Sequence, residues 1–339
     1  MGQPHTERAG VSPALAYPLL LALLAGMALA SLFVGHADVG DSSLREVVLS
    51  LRGFRLAAAV LTGAALAVAG VLVQGLFRNP LASPSILGTT AGAAFGGQAA
   101  MMTYQLVLEG LLPATVLPQA FLPLGCLLGA LLSLMVLLAI ARTHGDLVLL
   151  LLTGFILSSF FLGLGNFLMS LAQEKWELGR AMVAFALGGL SGTGADQVWM
   201  ALPLVAGGVV AAWLWGRPLD LLSSGEEEAA SLGVDVGAVR RWTVVWTAAL
   251  TGAAVSLGGN IGFVGLIVPH ALRSVLGVDH RTLVPAAALG GGLFVLACDF
   301  TVRVLPSRGE VPLGVITGLV GAPLFLLILL RSWRGGEYG

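Results

Sequence analysis

The chain has 339 residues, 57% of them hydrophobic and 10% charged, with a formal net charge of −1 and a mean hydropathy of +0.94. Soluble domains carry roughly 25% charged residues, so this composition excludes a water-soluble globule, and the balanced charge offers no basic patch for nucleic acid. Cys126 and Cys298 sit alone in apolar runs, which predicts neither a disulfide nor a metal site.

A crossing helix needs ~20 predominantly apolar residues, and splitting the chain at its charges and proline–glycine breaks yields ten spans. The first, about 14–34, follows Arg8 and is too long for a signal-peptide core, so it reads as a span and not a cleaved leader. The second, 54–77, is rich in small residues (Gly63, Ala64, Ala65, Ala67, Ala69, Gly70), which let helix backbones approach closely in lipid. Arg78-Asn79-Pro80 and Pro84 break the chain before a third span at 86–102. The fourth and fifth occupy 124–141 and 147–171. A short glycine-rich run, 181–195, reads as a helix dipping against the bundle. The sixth span is 198–215; the seventh and eighth, 242–257 and 261–276, are parted by Gly258-Gly259-Asn260. The ninth, 283–302, has Asp299 and Arg303 at its far end, and the tenth is 312–330.

Ten spans put both termini on one side, and assigning that side to the cytoplasm gives it the larger share of the 17 lysines and arginines. Arg52, Arg55 and Arg303 are left outside, unexplained by charge bias alone.

Residues 217–241 form the one long polar stretch. Ser224 stands three residues before Glu227, the spacing of a capping box, and Glu226, Glu227 and Glu228 fall where negative charge suits a helix start. Gly233 is placed to stop that helix, and Asp235 to cap a second short one running to Arg240. The pattern fits an ordinary solvated loop or a docking surface for a soluble partner, with Leu232 and Val236 as apolar anchors.

The five histidines are scattered without partners at metal-ligand spacing, and there is no phosphate-binding glycine–lysine loop of the Walker type. Charges deep within the spans are nearly absent, which counts against a stand-alone secondary transporter of a small organic solute, because such proteins keep an intramembrane acid or base. A membrane-embedded enzyme would need clustered histidines or acids, which the sequence does not offer. The breaks at 78–84 and 258–270 fall in comparable places of two five-span halves, as in an internal repeat.

Three stretches, GAALAVAGVLVQGLFRNPLASPSILGTTAGAAFG from Gly63, GGNIGFVGLIVPHALRSVLGVDHRTLVP from Gly258 and GEVPLGVITGLVGAPLFLLILLR from Gly309, resemble in collinear order the signature of FecCD/BtuC-type permeases. These are membrane subunits of type II ABC importers for iron–siderophores, haem and cobalamin. The resemblance implies an all-α polytopic fold of ten helices with an internal repeat, a single transmembrane domain over 1–339 with a cytoplasmic coupling loop at 217–241, and residence in the bacterial inner membrane. It implies as partners a second permease copy or close paralogue, two ATP-binding cassette subunits and an extracytoplasmic substrate-binding protein, all acting in a lipid bilayer. The chain itself would bind no cofactor and catalyse nothing; ATP and magnesium would be used by the ATPase.

By the same resemblance, Ser223, Ser224, Glu226, Glu227, Ala230, Leu232 and Gly233 would dock the ATPase. Arg52, Arg55 and Arg303 would receive acidic lobes of the binding protein. Asn79 and Leu81 would belong to the inner gate, and Thr153, Ser158, Ser159 and Asn166 would line the path. One departure is that Leu147 and Val148 are apolar where the family can show small polar residues.

Overall fold

The computed structural model describes residues 12–33, 45–108, 117–141, 147–305 and 311–334. Arg8 and the side chains of Leu147 and Val148 lie outside the described part. The described residues form α1 (Pro13–Phe33), α2 (Arg45–Leu76), α3 (Thr89–Thr103, followed by a π-helical turn at Tyr104–Leu108), α4 (Leu117–Ala141), α5 (Leu147–Ala172), α6 (Trp176–Leu187) and α7 (Ala195–Leu214). After these come α8 (Gly216–Ser224), α9 (Glu226–Ser231), α10 (Val236–Gly258), α11 (Val264–Leu276), α12 (His280–Val304) and α13 (Leu313–Arg334).

Among the described residues six helices, α1, α2, α4, α5, α7 and α12, are long and apolar enough to cross a membrane, while α11 and the apolar part of α13 are shorter. Leucines on α1, α4, α5 and α13 stand exposed, a surface that suits hydrocarbon and not water.

The bundle is built around α2, whose 32 residues span ~48 Å at ~1.5 Å per residue. Every residue from Thr62 to Leu76 is buried, because α7, α10, α11 and α12 pack around it. Small residues make that possible: a Cβ at Gly63 would lie 2.0 Å from the carbonyl oxygen of Gly291 on α12, and one at Gly70 would lie 1.9 Å from that of Gly265 on α11. The small-residue face seen in the sequence is thus a pair of backbone-to-backbone crossings. On the other side, α3 packs on α4 through a similar approach of Gly92 to Gly129, and also on α5.

Both chain breaks are present, though the second is shorter than the expected 258–270 because α11 starts at Val264, and each carries a strained residue. Among the described residues the two non-glycines with positive φ are Arg78 (φ 50) and Phe263 (φ 67), one at each break. After α2, Arg78 N–H donates to Gly75 (3.3 Å) and Asn79 N–H to Gln74 (3.1 Å), closing the helix in a Schellman motif with arginine where glycine is usual. After α10, the freed backbone is satisfied by neighbouring segments. Gly189 donates to Gly258 (2.9 Å) and Asn260 to Phe185 (3.3 Å), while Leu313, at the start of α13, donates to Gly188 at the end of α6 (2.9 Å). Broken backbone is tolerated at membrane depth where protein supplies the missing hydrogen bonds.

Three local expectations are corrected. Ser224 does not cap the helix that follows it: it is the last residue of α8, and Gly225 (φ 142) turns the chain into α9 without a side-chain cap. The short helix expected to end at Arg240 is the first turn and a half of α10, because charge alone does not interrupt a helix whose backbone bonds continue. The run 181–195 is only half helical; α6 begins earlier, at Trp176, and ends at Gly188 (φ 76).

Candidate functional site

The polar features gather at opposite ends of α2. At its C-terminal end lie α8 and α9. They stand on the membrane helices through Leu219, Leu222 and Ala229, all buried, while Ser223, Ser224, Glu226, Glu227, Ala230, Leu232 and Gly233 face outward. Leu232 is 62% exposed. Val236, the other expected anchor, packs against the core instead.

Gly233 (φ 84) closes α9 as expected: its N–H donates to Ala230 (3.0 Å) and that of Val234 to Ala229 (3.1 Å), the two bonds of a Schellman motif. Asp235 then caps α10 by accepting from Ala238 N–H at 2.8 Å. Glu226 pairs with Arg240 at 2.7 Å and reaches Arg78 at 3.4 Å. These are half-exposed pairs, each worth roughly 0–1 kcal/mol, so they set register more than they stabilise.

Sequence reasoning passed over Asp220 and took His280 as one of several isolated histidines. The fold joins them: Asp220 Oδ1 accepts from the His280 backbone N–H (3.1 Å) and lies 2.5 Å from His280 Nδ1. Burial would raise the Asp220 carboxyl, but the bonds and charge of His280 outweigh it and hold the group below the ordinary carboxylate range. The available signals were Asp220's place in the polar stretch and His280's place directly after Asp279, which caps α12 through Thr282 N–H at 3.2 Å.

At the other end of α2, Arg52, Arg55 and Arg303 come together, as their common assignment to one side required. They are not displayed outward. Arg55 Nε donates to Asp299 Oδ1 at 2.9 Å, and Arg303 Nε lies 3.1 Å from Asp299 Oδ2. Arg303 also donates to the carbonyl of Ser31 (2.7 Å) and to its hydroxyl, and Arg52 donates to the carbonyl of Leu32 (2.8 Å). Asp299 is fully buried and Arg52 nearly so. The cluster therefore ties the end of α1 to α2 and α12; any partner contact would use whatever edges this network leaves exposed. Beside it, a cavity of about 590 Å³ is lined by Arg55, Trp176, Arg180, Leu187, Val302 and Leu313, among others.

The expected gate and path residues divide. Asn79 is buried, and its Oδ1 accepts from Leu81 N–H (2.9 Å), so the asparagine side chain shapes the turn after α2; its Nδ2 has no partner among the described residues. On α5, Thr153 is buried, and Ser158 donates to the carbonyls of Gly154 (2.9 Å) and Ser85 (3.3 Å), which directs it to the break before α3 and not to an open path. Ser159 and Asn166 lie on the exposed face of α5 beside Phe155, Phe160 and Phe167. The described residues contain no group of three or more metal-ligating side chains.

The profile of the FecCD transport family matches residues 14–331. The chain is 38% identical over 317 residues to the cobalamin import system permease protein BtuC of Halobacterium salinarum, covering 93% of this chain and 82% of that one. It is 37% identical over 318 residues to the Fe(3+) dicitrate transport system permease protein FecD of Escherichia coli (91% and 96%). With the hemin transport system permease protein HmuU of Yersinia pestis the identity is 34% over 332 residues (95% and 97%). A solved metal-chelate type ABC transporter in an inward-facing conformation matches with a TM-score of 0.80 at 30% identity, covering 94% of this chain and 100% of that one. Two polar ends joined by a buried small-residue helix, matched over nearly the whole length, place this chain in the FecCD transport family of ABC-transporter permeases.

Proposed function

We propose that the chain is the membrane-spanning permease subunit of an importer that moves a metal chelate across the cytoplasmic membrane by alternating access. An iron–siderophore is the first choice of cargo, with haem and cobalamin next. The observation that carries this reading is the α8–α9 helix pair, held on the bundle by buried leucines while Leu232 and its neighbours face out. That is the form of a surface on which a separate ATPase pushes. The names of the relatives support the cargo class, since they are permeases for cobalamin, ferric citrate and hemin.

In this reading two ATP-binding cassette subunits dock on Ser223–Gly233, and a second permease copy covers the exposed face of α5. A binding protein delivers cargo at the Arg52–Arg55–Arg303 end, where charge would steer its approach and fix its register. Asn79 and Leu81, directly after α2, form the inner constriction, and Ser159 and Asn166 give the apolar α5 face a polar stripe along the path. ATP supplies the energy at the partner, and this chain converts differential contacts at α8–α9 into access on one side or the other.

The test is ATP hydrolysis and cargo uptake by the permease in nanodiscs with its co-expressed ATPase and binding protein, using a ferric siderophore, haem and cobalamin in turn. Stimulation by one loaded binding protein supports the reading and identifies the cargo. Uptake that follows an ion gradient, with no ATPase co-purifying, would replace it with a secondary transporter.

A further inference from the structure

We infer that Asp220 and His280 form the latch through which movement of α8–α9 reaches the membrane helices, a role that rests on the coupling reading above. Asp220 lies on α8 between the buried Leu219 and Leu222, on the side facing the bundle. One oxygen, Oδ1, accepts from both the backbone N–H and the ring of His280, the first residue of α12. A carboxylate can only accept, so Nδ1 carries the hydrogen and Nε2 points away from α8.

On that far side the ring meets α2. A Cβ at Gly75 would lie 2.6 Å from His280 Nε2, so only glycine leaves room for the imidazole there. The ring, 6% exposed, is therefore wedged between α8 and the last turn of α2, directly before the Arg78–Pro84 break. Gly216, at the start of α8, adds a second point of contact, since a Cβ there would be 3.3 Å from His280 Cβ and 3.2 Å from Arg281 N. Arg281 in turn lies over the Trp213 ring, 5.1 Å from its centroid, at the end of α7.

Apart from the half-exposed pairs of Glu226 with Arg240 and Arg78, the rest of the footing of α8 and α9 is apolar: Leu219, Leu222 and Ala229. Apolar contacts are non-directional, so they hold the helices on the bundle while allowing them to slide. The Asp220–His280 pair is directional, charge-assisted and largely removed from water, and such pairs resist displacement more than neutral hydrogen bonds do. A push on α8 that cannot break this pair must carry the N-terminus of α12, and the ring bearing on Gly75 must carry the end of α2. Asp220 and His280 are positioning residues; neither touches cargo.

The experiment uses the complete importer in nanodiscs and reads ATP hydrolysis and cargo uptake together, as uptake per ATP. Asp220→Ala and His280→Ala are each expected to lower that ratio about tenfold, the scale of one lost charge-assisted hydrogen bond, while the ATPase stays bound and hydrolysis continues. The double variant is expected to be no worse than the poorer single one, as for two residues acting through one contact. Asp220→Asn, which keeps an oxygen for the His280 N–H, is expected to recover part of the ratio. It also serves as the deciding variant if the alanine forms do not fold.

An unchanged ratio overturns the latch, as do single effects that multiply in the double variant. Hydrolysis and ATPase binding that fall in step with uptake also overturn it, by placing Asp220 in docking instead. A wild-type complex whose uptake is not linked to ATP would sink the coupling reading first, and the latch with it.

Discussion

Arg55, in the third turn of α2, donates through Nε to Asp299 near the end of α12, 2.9 Å away and 244 positions later in the chain. With Arg303 on its other oxygen, the fully buried Asp299 is held between two guanidiniums. Removing one member of a buried pair costs about 3–5 kcal/mol, because the remaining charge stays buried. Asp299→Ala should therefore lower the thermal unfolding temperature of the purified permease markedly, and more than Arg55→Gln, whose side chain is partly exposed. Equal, small effects of the two would show that water reaches the cluster.

The contact of Gly63 with Gly291 makes a second, independent test. A side chain at Gly63 meets carbonyl oxygen, which cannot rotate away, whereas Gly26 on α1 has nothing within 4 Å of its missing Cβ. Gly63→Val should prevent accumulation of folded permease or cost several kcal/mol, on the order of severe overpacking, and Gly26→Val should be close to neutral. Size-exclusion profiles of fluorescently tagged variants after heating would separate the two. A tolerated Gly63→Val would mean that α2 and α12 pack further apart than described.

How much of this was legible in the sequence depends on the range over which each feature is decided. Apolar runs and their breaks depend on local composition, and α1, α5 and α7 lie within about three residues of where composition put them. The places of the breaks at 78–84 and 258–270 were legible because glycine, asparagine and proline change the backbone locally, but the extent of the second was not, since the helix resumes at Val264. Helix ends marked by charge were misplaced, since Arg240 and Arg241 ride on α10 without stopping it. The spacing of Ser224 to Glu227 predicts a cap; what decides is Gly225, which turns the chain one residue later. The functional pairs were the least legible. Asp220 meets His280 across 60 residues, and Arg303 meets Ser31 across 272. No local pattern encodes such a meeting. The family resemblance brought the three arginines to one end but said nothing of the Asp299 carboxylate that binds two of them.

Arg78 carries a strain that can be measured. Its φ of 50 is the left-handed region, which costs a residue with a Cβ roughly 1–2 kcal/mol and glycine almost nothing. Against this, among the described residues, its side chain makes the 3.4 Å pair with the half-exposed Glu226, worth less than about 1 kcal/mol. Arg78→Gly should thus be neutral to slightly stabilising in thermal unfolding, and Arg78→Val destabilising by about 1–2 kcal/mol, since a β-branched residue tolerates positive φ least. If Arg78→Gly were clearly destabilising, Glu226 would be holding the end of α2 far more strongly than a surface pair should.

Leu232 gives the sharpest test of where the ATPase docks. It is 62% exposed, between the end of α9 and the Gly233 turn, and it joins none of the hydrophobic clusters among the described residues. Leu232→Asp should leave the unfolding temperature of the permease unchanged, as surface substitutions away from special features stay within about 0.5 kcal/mol. Burying a leucine against a partner is worth roughly 1.5–3 kcal/mol, so association with the ATPase should fall about tenfold or more, read as the affinity of the purified ATPase for permease in nanodiscs. Glu227→Ala, on the exposed side of the same helix, should change that affinity less, because a solvated charge at an interface rim contributes little. The ordering of these two variants is the discriminating result. A larger effect at Glu227 than at Leu232 would mean that docking is electrostatic and centred on the acidic start of α9, and would move the anchor away from the Gly233 turn.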